Sequence, residues 1–422
     1  MTHSLPRLTP RPRATTTSGF DLRAVDGLRG LAALYIVVHH ARIDLWQGTH
    51  AALAAGGFAA LFAYATVPLK YGAEVVLLFF LLSGFVIHLR QARSLSRGET
   101  PSFRALSFFR RRATRLLPPL LFALVFTAAL DAAGSWASAS EYAAYPAGHV
   151  FAGGRTAFAF AMNALFLQGF AAPPFGSNSP LRSLSYEAIF YALYPLFLLA
   201  RVRFGARAAF GATFAAAAAG SALHVASPAI AWTILPYFAV WSLGALVAEA
   251  FAQGVSLRRP VLMLVGGAAL VAPVLAAPGR LDPTIGSTIF ASGLALVMAV
   301  FVLHPMGFGA ASMFARLRGL GARSYTLYVL HVPILVFLAA LWVRTRGSLP
   351  GSGWLMAPGI ALALAAAYAV APIVELPFSQ RAKQGAIPAA RPAPRVVRGR
   401  IARPVSVAAA PGEEVADVRQ SA

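Results

Sequence analysis

Ionisable side chains inside apolar stretches are the first candidates for chemistry in this 422-residue chain, because placing them in lipid costs free energy. In RGLAALYIVVHHARIDL, Arg29 and His40 are eleven residues apart. An α-helix returns them to nearly the same face, about 16 Å apart along its axis, and turns His39 about 100° away. A buried, neutral imidazole can take a proton from a hydroxyl group. We therefore predict catalytic roles for His40 and Arg29, against the alternative of a histidine that only packs between helices.

The stretch SLSYEAIFYALYP places a carboxylate, Glu187, one turn inside an apolar helix, with Ser183 and Tyr191 on its face. Such a carboxylate could orient the catalytic histidine or hold an acceptor hydroxyl. It could instead form an ion pair with Arg182 or Arg42 near a helix end. We favour the functional interpretation and predict that Glu187 is catalytic and that Tyr191 binds substrate.

Arginines are concentrated at the start of another apolar stretch, in FFRRRATRLLPPL. Arg112 and Arg115 are three residues apart and share a helix face, and two guanidinium groups on one face suit bidentate binding of phosphate. Basic clusters at the cytoplasmic ends of membrane helices are also ordinary orientation signals. Since the cluster exceeds what orientation requires, we predict that Arg112 and Arg115 bind a phosphate-bearing ligand.

A second intramembrane histidine is predicted in RSYTLYVLHVPIL, where His331 lies about 12 Å inside an apolar helix. Tyr325 and Tyr328 lie on neighbouring turns. Pro333 has no N–H, so it leaves a backbone carbonyl free for a polar side chain or water. His331 could be that structural partner or could contact substrate. Both interpretations stay open, and we include Tyr325 and His331 among the predicted substrate-binding residues.

Two further polar features carry weaker functional signals. The Ser83–Gly84 pair in FFLLSGFVI is typical of a small-residue packing site between membrane helices. Glu375, in VELPF, ends the last apolar stretch and could pair with a cytoplasmic arginine. The Ser83–Gly84 pair is expected to serve the packing of helices before it serves chemistry.

The composition indicates that these residues belong to a membrane protein. Hydrophobic residues make up 58% of the chain and charged residues only 12%, whereas soluble domains have about a quarter charged residues. The basic residues behind the net charge of +22 lie between apolar stretches, without a nucleic-acid motif, so we predict no nucleic-acid partner. The chain has no cysteine, which excludes disulfides and thiolate nucleophiles. Its scattered histidines lack metal-ligand spacing, and we predict no metal site.

A bilayer-spanning helix needs about 20 mostly apolar residues. By that criterion we predict an all-α, polytopic transmembrane helix bundle with about ten spanning helices, at residues 28–46, 72–89, 116–131, 184–201, 206–223, 231–251, 261–277, 286–304, 322–343 and 355–376. The apolar segment 157–170 is shorter and precedes a loop rich in Pro, Gly and Ser. It is predicted to be interfacial or re-entrant, with an eleventh span as the alternative.

The basic residues orient this bundle. With the N-terminus inside, the short cytoplasmic loops contain sixteen Lys and Arg and the outer loops contain six, as the positive-inside rule requires. An even number of spans then places both the N- and the C-terminus in the cytoplasm. We predict a disordered polar tail at 1–20, a transmembrane domain at 21–378, and a disordered basic tail at 379–422 that can lie on anionic lipid.

These motifs, in this order, resemble the acyltransferase-3 family of bacterial membrane O-acyltransferases over about residues 21–378. DGLRGLAALYIVVHH resembles the family's opening signature of an arginine, ten residues and a histidine, met here by Arg29 and His40. FFLLSGFVI, RRATRLLPP, SLSYEAIFYALYP, SYTLYVLHVPI and VELP resemble further blocks of the family. Arg182 stands where members often have a tryptophan before the glutamate, and Leu77 stands where an acidic residue often precedes the Ser-Gly serine.

The resemblance implies a ten-helix, multi-pass enzyme of the bacterial inner membrane that takes an acyl group, usually acetyl, from cytoplasmic acyl-CoA. Acyl-CoA is then a donor substrate, and no cofactor is tightly bound. The acceptor is a hydroxyl, typically of a sugar or glycan at the outer face. By position, His40 is implied to be the catalytic histidine and Arg29 its motif partner, with Arg112 and Arg115 on the donor side and Glu187 essential. His40 would either deprotonate the acceptor or carry the acyl group as an acyl-imidazole.

Two other classes of protein also fit buried ionisable residues. A transporter or flippase would use them as a substrate or proton path, although the sequence has no internal repeat of the kind many transporters have. A membrane assembly factor without catalytic activity would tolerate the loss of both His40 and Glu187. For an enzyme, the acceptor could be an O-antigen, capsule or exopolysaccharide sugar, a lipid-linked glycan, or a small metabolite.

Overall fold

The computed structural model describes residues 22–137, 154–275, 282–304 and 308–384, and these ranges contain helices and no β-strand. The prediction of an all-α fold is therefore confirmed for this part of the chain. The predicted tails lie outside it, except for residues 379–384, which are helical. In chain order the helices are α1 Leu22–Asp44, α2 Thr49–Ala55, α3 Gly57–Ala65, α4 Gly72–Ser96, α5 Ala105–Ala137, α6 Ala157–Ala164, α7 Arg182–Ala226, α8 Ile234–Ala252, α9 Arg259–Leu275, α10 Pro283–Leu303, α11 Phe308–Gly321, α12 Ser324–Arg346, α13 Met356–Val374 and α14 Leu376–Gln384. Short 3-10 turns occur at Val67–Lys70, Ser179–Leu181, Ile230–Thr233 and Gly353–Leu355.

Within the described ranges, seven helices are long and apolar enough to cross a membrane, namely α4, α5, α7, α8, α10, α12 and α13. The apolar helix α9 is shorter, with 17 residues. The helix α1 has 23 residues but is less apolar, because it contains the arginines and histidines singled out above. A membrane-helical protein is thus supported, while the count of about ten spans and the cytoplasmic position of both termini stay predictions.

Two of the predicted spans, 184–201 and 206–223, form the single element α7. Gly205, at φ 84° and ψ 175°, departs from helical conformation and divides α7 into two halves. Glycine adopts this backbone conformation without the steric cost that a side chain would add. This break lies between the two predicted spans. The two helical halves are therefore joined by one non-helical residue instead of the expected loop.

The apolar segment 157–170 contains one short helix, α6. The side chain of Thr156 caps this helix by accepting a hydrogen bond from the N–H of Ala159 at 3.0 Å. Its eight residues rise only about 12 Å, whereas the hydrocarbon core of a bilayer is about 30 Å thick. An eleventh helical span is therefore excluded here, and an interfacial or re-entrant position fits the length of α6.

Helices α4 and α8 pack against each other through two glycines. A Cβ atom on Gly84 would overlap the carbonyl oxygen of Trp241, and a Cβ atom on Gly244 would overlap that of Leu81. Without side chains at these positions, the two backbones come into direct contact. The prediction of a small-residue packing site at Ser83–Gly84 is confirmed for the glycine, and this contact fixes the position of Ser83.

The start of α12 is held by a residue that lies just after the end of α13. Glu375 is buried, and its Oε2 accepts hydrogen bonds from the N–H of Thr326 at 2.9 Å and from the Thr326 hydroxyl at 2.6 Å. The predicted ion pair with an arginine is not observed among the described residues. Glu375 instead satisfies an N–H that the first turn of a helix leaves unpaired.

The carbonyl that Pro333 leaves free belongs to Val329, four residues earlier. Asn178 donates its Nδ2 to this carbonyl oxygen at 2.8 Å and to Oγ1 of Thr127 at 3.1 Å. The partner of the free carbonyl is therefore Asn178, and the interpretation of His331 as that partner is wrong. These hydrogen bonds tie α12 to α5 and to the turn before α7.

Candidate active site

Five helices border a cavity of about 60 Å³ in the described part of the bundle. Its polar wall consists of Arg29 from α1, Ser83 from α4, Arg112 and Arg115 from α5, Ser183, Glu187 and Tyr191 from α7, and Ser324, Tyr325 and Tyr328 from α12. Its apolar wall consists of Val76, Phe79, Phe80, Val86, Ile87, Leu116 and Leu184. Six of the eight predicted site residues thus line one cavity, and the other two, His40 and His331, do not.

Glu187 is half-buried in this wall, and its partners are hydroxyl groups rather than arginines. Its Oε1 accepts a hydrogen bond from Oγ of Ser83 at 3.3 Å and another from the hydroxyl of Tyr191. Its Oε2 has no hydrogen-bond partner among the described residues. The alternative of an ion pair with Arg182 or Arg42 is not observed there, and Arg42 instead donates to Thr49 at 2.8 Å. Glu187 can therefore accept a hydrogen bond from a hydroxyl group in the cavity.

The cavity wall carries more positive than negative charge. Arg29 pairs with Asp26, with 3.0 Å between Nη1 and Oδ1. The guanidinium carbon of Arg112 lies 5.5 Å from the ring centre of Phe108, and the buried Nε of Arg112 has no hydrogen-bond partner in the part of the chain that the structure describes. Arg115 makes no hydrogen bond to another described residue. Because desolvated guanidinium groups that outnumber the nearby carboxylates cost free energy, an anionic ligand would stabilise this wall.

His40 and His331 form a pair that joins α1 to α12. Nε2 of His331 lies 3.1 Å from Nδ1 of His40, and their ring centres are 4.9 Å apart. Both side chains also contact backbone carbonyls of their own helices. Nδ1 of His331 lies 2.8 Å from the carbonyl oxygen of Tyr328, and Nδ1 of His40 lies 3.1 Å from that of Ile36. The sequence indicated both histidines but not that they meet.

These contacts determine which nitrogens carry protons. A carbonyl oxygen only accepts hydrogen bonds, so Nδ1 carries the proton in both rings. Nε2 of neutral His331 then accepts a hydrogen bond from the Nδ1–H of His40. Nε2 of His40 keeps its lone pair and has no hydrogen-bond partner among the described residues. The arrangement prepares His40 to act as a base or a nucleophile through Nε2.

Tyr328 connects the histidine pair to the cavity. It lines the cavity, and its ring centre lies 5.9 Å from that of His331. Its hydroxyl is 2.8 Å from Oγ of Ser183, another wall residue, and donates to the carbonyl of Pro180 at 3.2 Å. Since neither histidine lines the cavity, a ligand there reaches them only if this part of the wall moves.

His39 has a structural role. Its Nδ1 donates to the carbonyl oxygen of Leu69 at 2.7 Å, in the turn before α4. The hydroxyl of Tyr35 donates to the carbonyl of Pro68 in the same turn. Both contacts hold α1 against the connection between α3 and α4, on a different side from His331. The predicted separation of His39 from His40 around the helix is thus observed.

Sequence reasoning missed a buried ionic cluster outside the cavity. Arg201 donates from Nε and Nη2 to the two carboxylate oxygens of Glu249, at 2.6 and 2.9 Å. Nε2 of His88 lies 3.1 Å from Oε1 of the same carboxylate, and Nδ1 of His88 lies 3.2 Å from the hydroxyl of Tyr194. The cluster joins α4, α7 and α8. Glu249 lies within the predicted span 231–251, where an ionisable residue costs free energy. This cost could have indicated that Glu249 has a buried partner.

A family model described as an acyltransferase domain matches residues 22–375 of the chain. The match covers α1 to the end of α13 and therefore includes every residue of the cavity and both histidines. No curated protein and no solved structure has a significant match to the chain.

Proposed function

The chain belongs to the acyltransferase-3 family, as its motifs predicted, and from this membership we propose that it moves an acetyl group from acyl-CoA to a hydroxyl of a sugar or glycan. The donor is taken from the cytoplasm and the acceptor lies at the outer face of the bacterial inner membrane. The class of membrane acyltransferase follows from the family. The acetyl group, the CoA donor, the carbohydrate acceptor and the inner-membrane location are our proposal.

One observation supports the proposal best. The described wall of the cavity has three arginines and one carboxylate, Glu187, and Tyr328 lies between this cavity and the histidine pair. The arginine-rich part of the wall suits a donor with phosphate groups. The part of the wall around Glu187 suits an acceptor hydroxyl, which can donate a hydrogen bond to Oε2 of Glu187. His40, with an unprotonated Nε2, supplies the group that reacts.

In the direct route, Nε2 of His40 takes the proton of the acceptor hydroxyl as its oxygen attacks the thioester carbonyl. A C–O bond forms, the C–S bond breaks, and the imidazolium gives the proton to the departing CoA thiolate. His331 stabilises the transient positive charge, because its Nε2 accepts a hydrogen bond from the Nδ1–H of His40.

In the relay route, Nε2 of His40 itself attacks the thioester, so that a C–N bond forms and the C–S bond breaks. His331 accepts the Nδ1 proton of His40, which leaves a neutral acyl-imidazole. The acceptor hydroxyl then attacks the acyl carbon, and its proton passes to a base such as Glu187 or water. As the C–N bond breaks, His331 returns its proton to Nδ1 of His40, so that both histidines leave the step neutral. In both routes the wall around Tyr328 moves to bring the acyl carbon to His40.

The proposal is tested with the full chain in lipid nanodiscs, with radiolabelled acetyl-CoA and a panel of methyl hexosides as acceptors. Because the chain has no cysteine, a thiol-reactive dye reports the released CoA without background from the protein. We expect labelled sugar ester and equimolar CoA from the wild type. Absence of both products, together with flux of a labelled glycan in sealed liposomes, would reject the enzyme in favour of a transporter.

A further inference from the structure

A second cavity, of about 360 Å³, lies beside the first at the arginine-rich end of the bundle. It is formed by the last turns of α4, the connection to α5, the first turns of α5, and one residue of α7. Its wall consists of Val86, Ile87, Arg90, Gln91, Ser102, Phe103, Arg104, Ser107, Phe108, Arg111, Arg112 and Tyr194. None of the roles assigned above requires this cavity.

The wall of the second cavity is strongly basic. Among its described residues are no acidic residue and four arginines: Arg90, Arg104, Arg111 and Arg112. Ser107 accepts a hydrogen bond from Nη1 of Arg111 at 2.6 Å and so holds that side chain near the start of α5. Guanidinium groups around one space repel each other, and a polyanion in that space removes the repulsion. The electrostatics therefore select a ligand with several negative charges.

The two cavities share part of their walls. Val86, Ile87 and Arg112 line both of them. The buried Nε of Arg112, which no described residue contacts by a hydrogen bond, lies at this junction. A long ligand can therefore place an anionic end in the second cavity and a reactive end in the first.

Aromatic rings complete the second cavity. The ring of Phe103 lies 5.3 Å from that of Phe108 and 5.7 Å from that of Tyr194, measured between ring centres. The hydroxyl of Tyr194 is held by His88, whose Nε2 in turn contacts Glu249. The buried ionic cluster thus fixes one wall of the cavity. Phe108 and Tyr194 are buried, whereas Phe103 is partly exposed beside the guanidinium groups, which suits contact with a nucleobase joined to phosphates.

We propose that the second cavity binds the nucleotide end of acyl-CoA, the 3′-phosphorylated ADP group. Its diphosphate and 3′-phosphate carry about four negative charges, which matches the four arginines of the wall. The pantetheine arm passes Val86 and Ile87 and brings the thioester into the first cavity. This assignment rests on the proposed function. The main phosphate contacts are then Arg90, Arg104 and Arg111, whereas the sequence predicted Arg115 for this role. Arg115 lies instead at the thioester end of the donor.

The test compares two double variants of the full chain in nanodiscs. Arg104→Gln with Arg111→Gln removes two charges from the cavity wall. Arg97→Gln with Arg110→Gln removes two charges from exposed positions at the same end of the bundle that line neither cavity. The matched pair separates specific phosphate contacts from a general change in surface potential. A third variant, Arg104→Lys with Arg111→Lys, retains the charge but loses the bidentate geometry.

Two quantities are measured: the KM and kcat for acetyl-CoA, and the Kd for adenosine 3′,5′-bisphosphate by calorimetry. The cavity variant is expected to raise both KM and Kd by about tenfold or more, with kcat within about twofold, because each lost charge-assisted hydrogen bond weakens binding. The control pair is expected to stay within about twofold of the wild type for KM and Kd. The lysine variant is expected to lie between them.

A thermodynamic cycle that compares acetyl-CoA with acetyl-dephospho-CoA measures the recognition of the 3′-phosphate. The wild type is expected to prefer acetyl-CoA, and the cavity variant is expected to lose most of that preference, because the arginines that recognise the 3′-phosphate are gone. Equal effects of the two double variants, or a wild type that does not bind the bisphosphate, would overturn the site. Bisphosphate binding that depends on Arg104 and Arg111 without any acyl transfer would support the site and reject the proposed function.

Discussion

Nε2 of His331 lies 3.1 Å from Nδ1 of His40, although the two residues are 291 positions apart in the chain. The hydrogen bond places the Nδ1 proton of His40 between two acceptors, the ring of His331 and the carbonyl of Ile36. His40 is thereby held in the tautomer that presents an unprotonated Nε2. We infer that His331, predicted to bind substrate, acts instead as a positioning residue for His40.

Replacing His331 tests this positioning role. His331→Gln keeps an acceptor near the position of Nε2 and is expected to keep kcat within about tenfold of the wild type, whereas His331→Leu removes the acceptor and is expected to lower kcat by about 100-fold or more. Nitrogen NMR of the histidine-labelled protein should show His40 as the Nδ1–H tautomer in the wild type and the glutamine variant. His331→Leu with unchanged kcat and an unchanged His40 tautomer would contradict the prediction.

Replacing His40 tests the reaction itself. His40→Ala is expected to lower acetyl transfer by about 100-fold to 10,000-fold, the range for loss of a general base. His50→Ala, at an exposed position in the short helix α2, is the matched control and should transfer normally. Radiolabel that stays on the protein without acceptor, and that hydroxylamine releases, would indicate the relay route. Transfer at the wild-type rate by His40→Ala would remove this histidine from the mechanism.

Glu187 is expected to act on the acceptor rather than on the donor. Glu187→Gln keeps an oxygen for the hydroxyls of Ser83 and Tyr191 but loses the charge, so hydrogen bonding to the acceptor should weaken by about 1.5–3 kcal/mol. The KM for the sugar should rise, and the KM for acetyl-CoA should change little. Glu99→Gln, which removes an exposed carboxylate paired with Arg97, is the control. An equal rise in both KM values would argue for a structural role of Glu187.

The local pattern of the sequence predicted the helical class and much of the cavity wall. The spacing of Arg112 and Arg115 put both on one face, and both line the cavity. Arg29 and His40 both lie in α1, as their spacing in one apolar stretch predicted, but only Arg29 lines that cavity. Periodicity describes one helix at a time, so it indicates the face of a residue and not the neighbour that this face meets.

Contacts between distant helices could not be predicted in the same way. Ser83 donates to Glu187 across 104 positions of the chain, because the glycine contact between α4 and α8 fixes the depth of α4. The partner of the carbonyl freed by Pro333 had to be polar, yet its identity as Asn178 depends on a loop conformation. Such pairs are decided by helix packing, which a single sequence does not specify.

The contact between Glu375 and Thr326 gives a prediction about stability. Glu375→Ala leaves the N–H and the hydroxyl of Thr326 without their acceptor, and the free energy of unfolding is expected to fall by about 1–3 kcal/mol. Glu375→Gln keeps an acceptor oxygen and should cost less. The midpoint of thermal unfolding in detergent measures both, with Glu99→Ala as an exposed control. If the glutamine variant were as unstable as the alanine variant, charge rather than hydrogen bonding would explain the role of Glu375.

Asn178 and Pro333 are expected to be coupled energetically through the carbonyl of Val329. Asn178→Ala leaves this buried oxygen without a donor, and it should lower the free energy of unfolding by about 1–3 kcal/mol. In a Pro333→Ala background, the new N–H of residue 333 can donate to the same oxygen and restore the helical hydrogen bond. The loss of unfolding free energy caused by Asn178→Ala should therefore be smaller in that background. A separate variant, Thr127→Val, measures how much of this loss comes from the other hydrogen bond of Asn178. Thermal unfolding of the two single variants and the double variant measures the coupling. Strictly additive effects would mean that Asn178 stabilises the loop without acting as the partner of Val329.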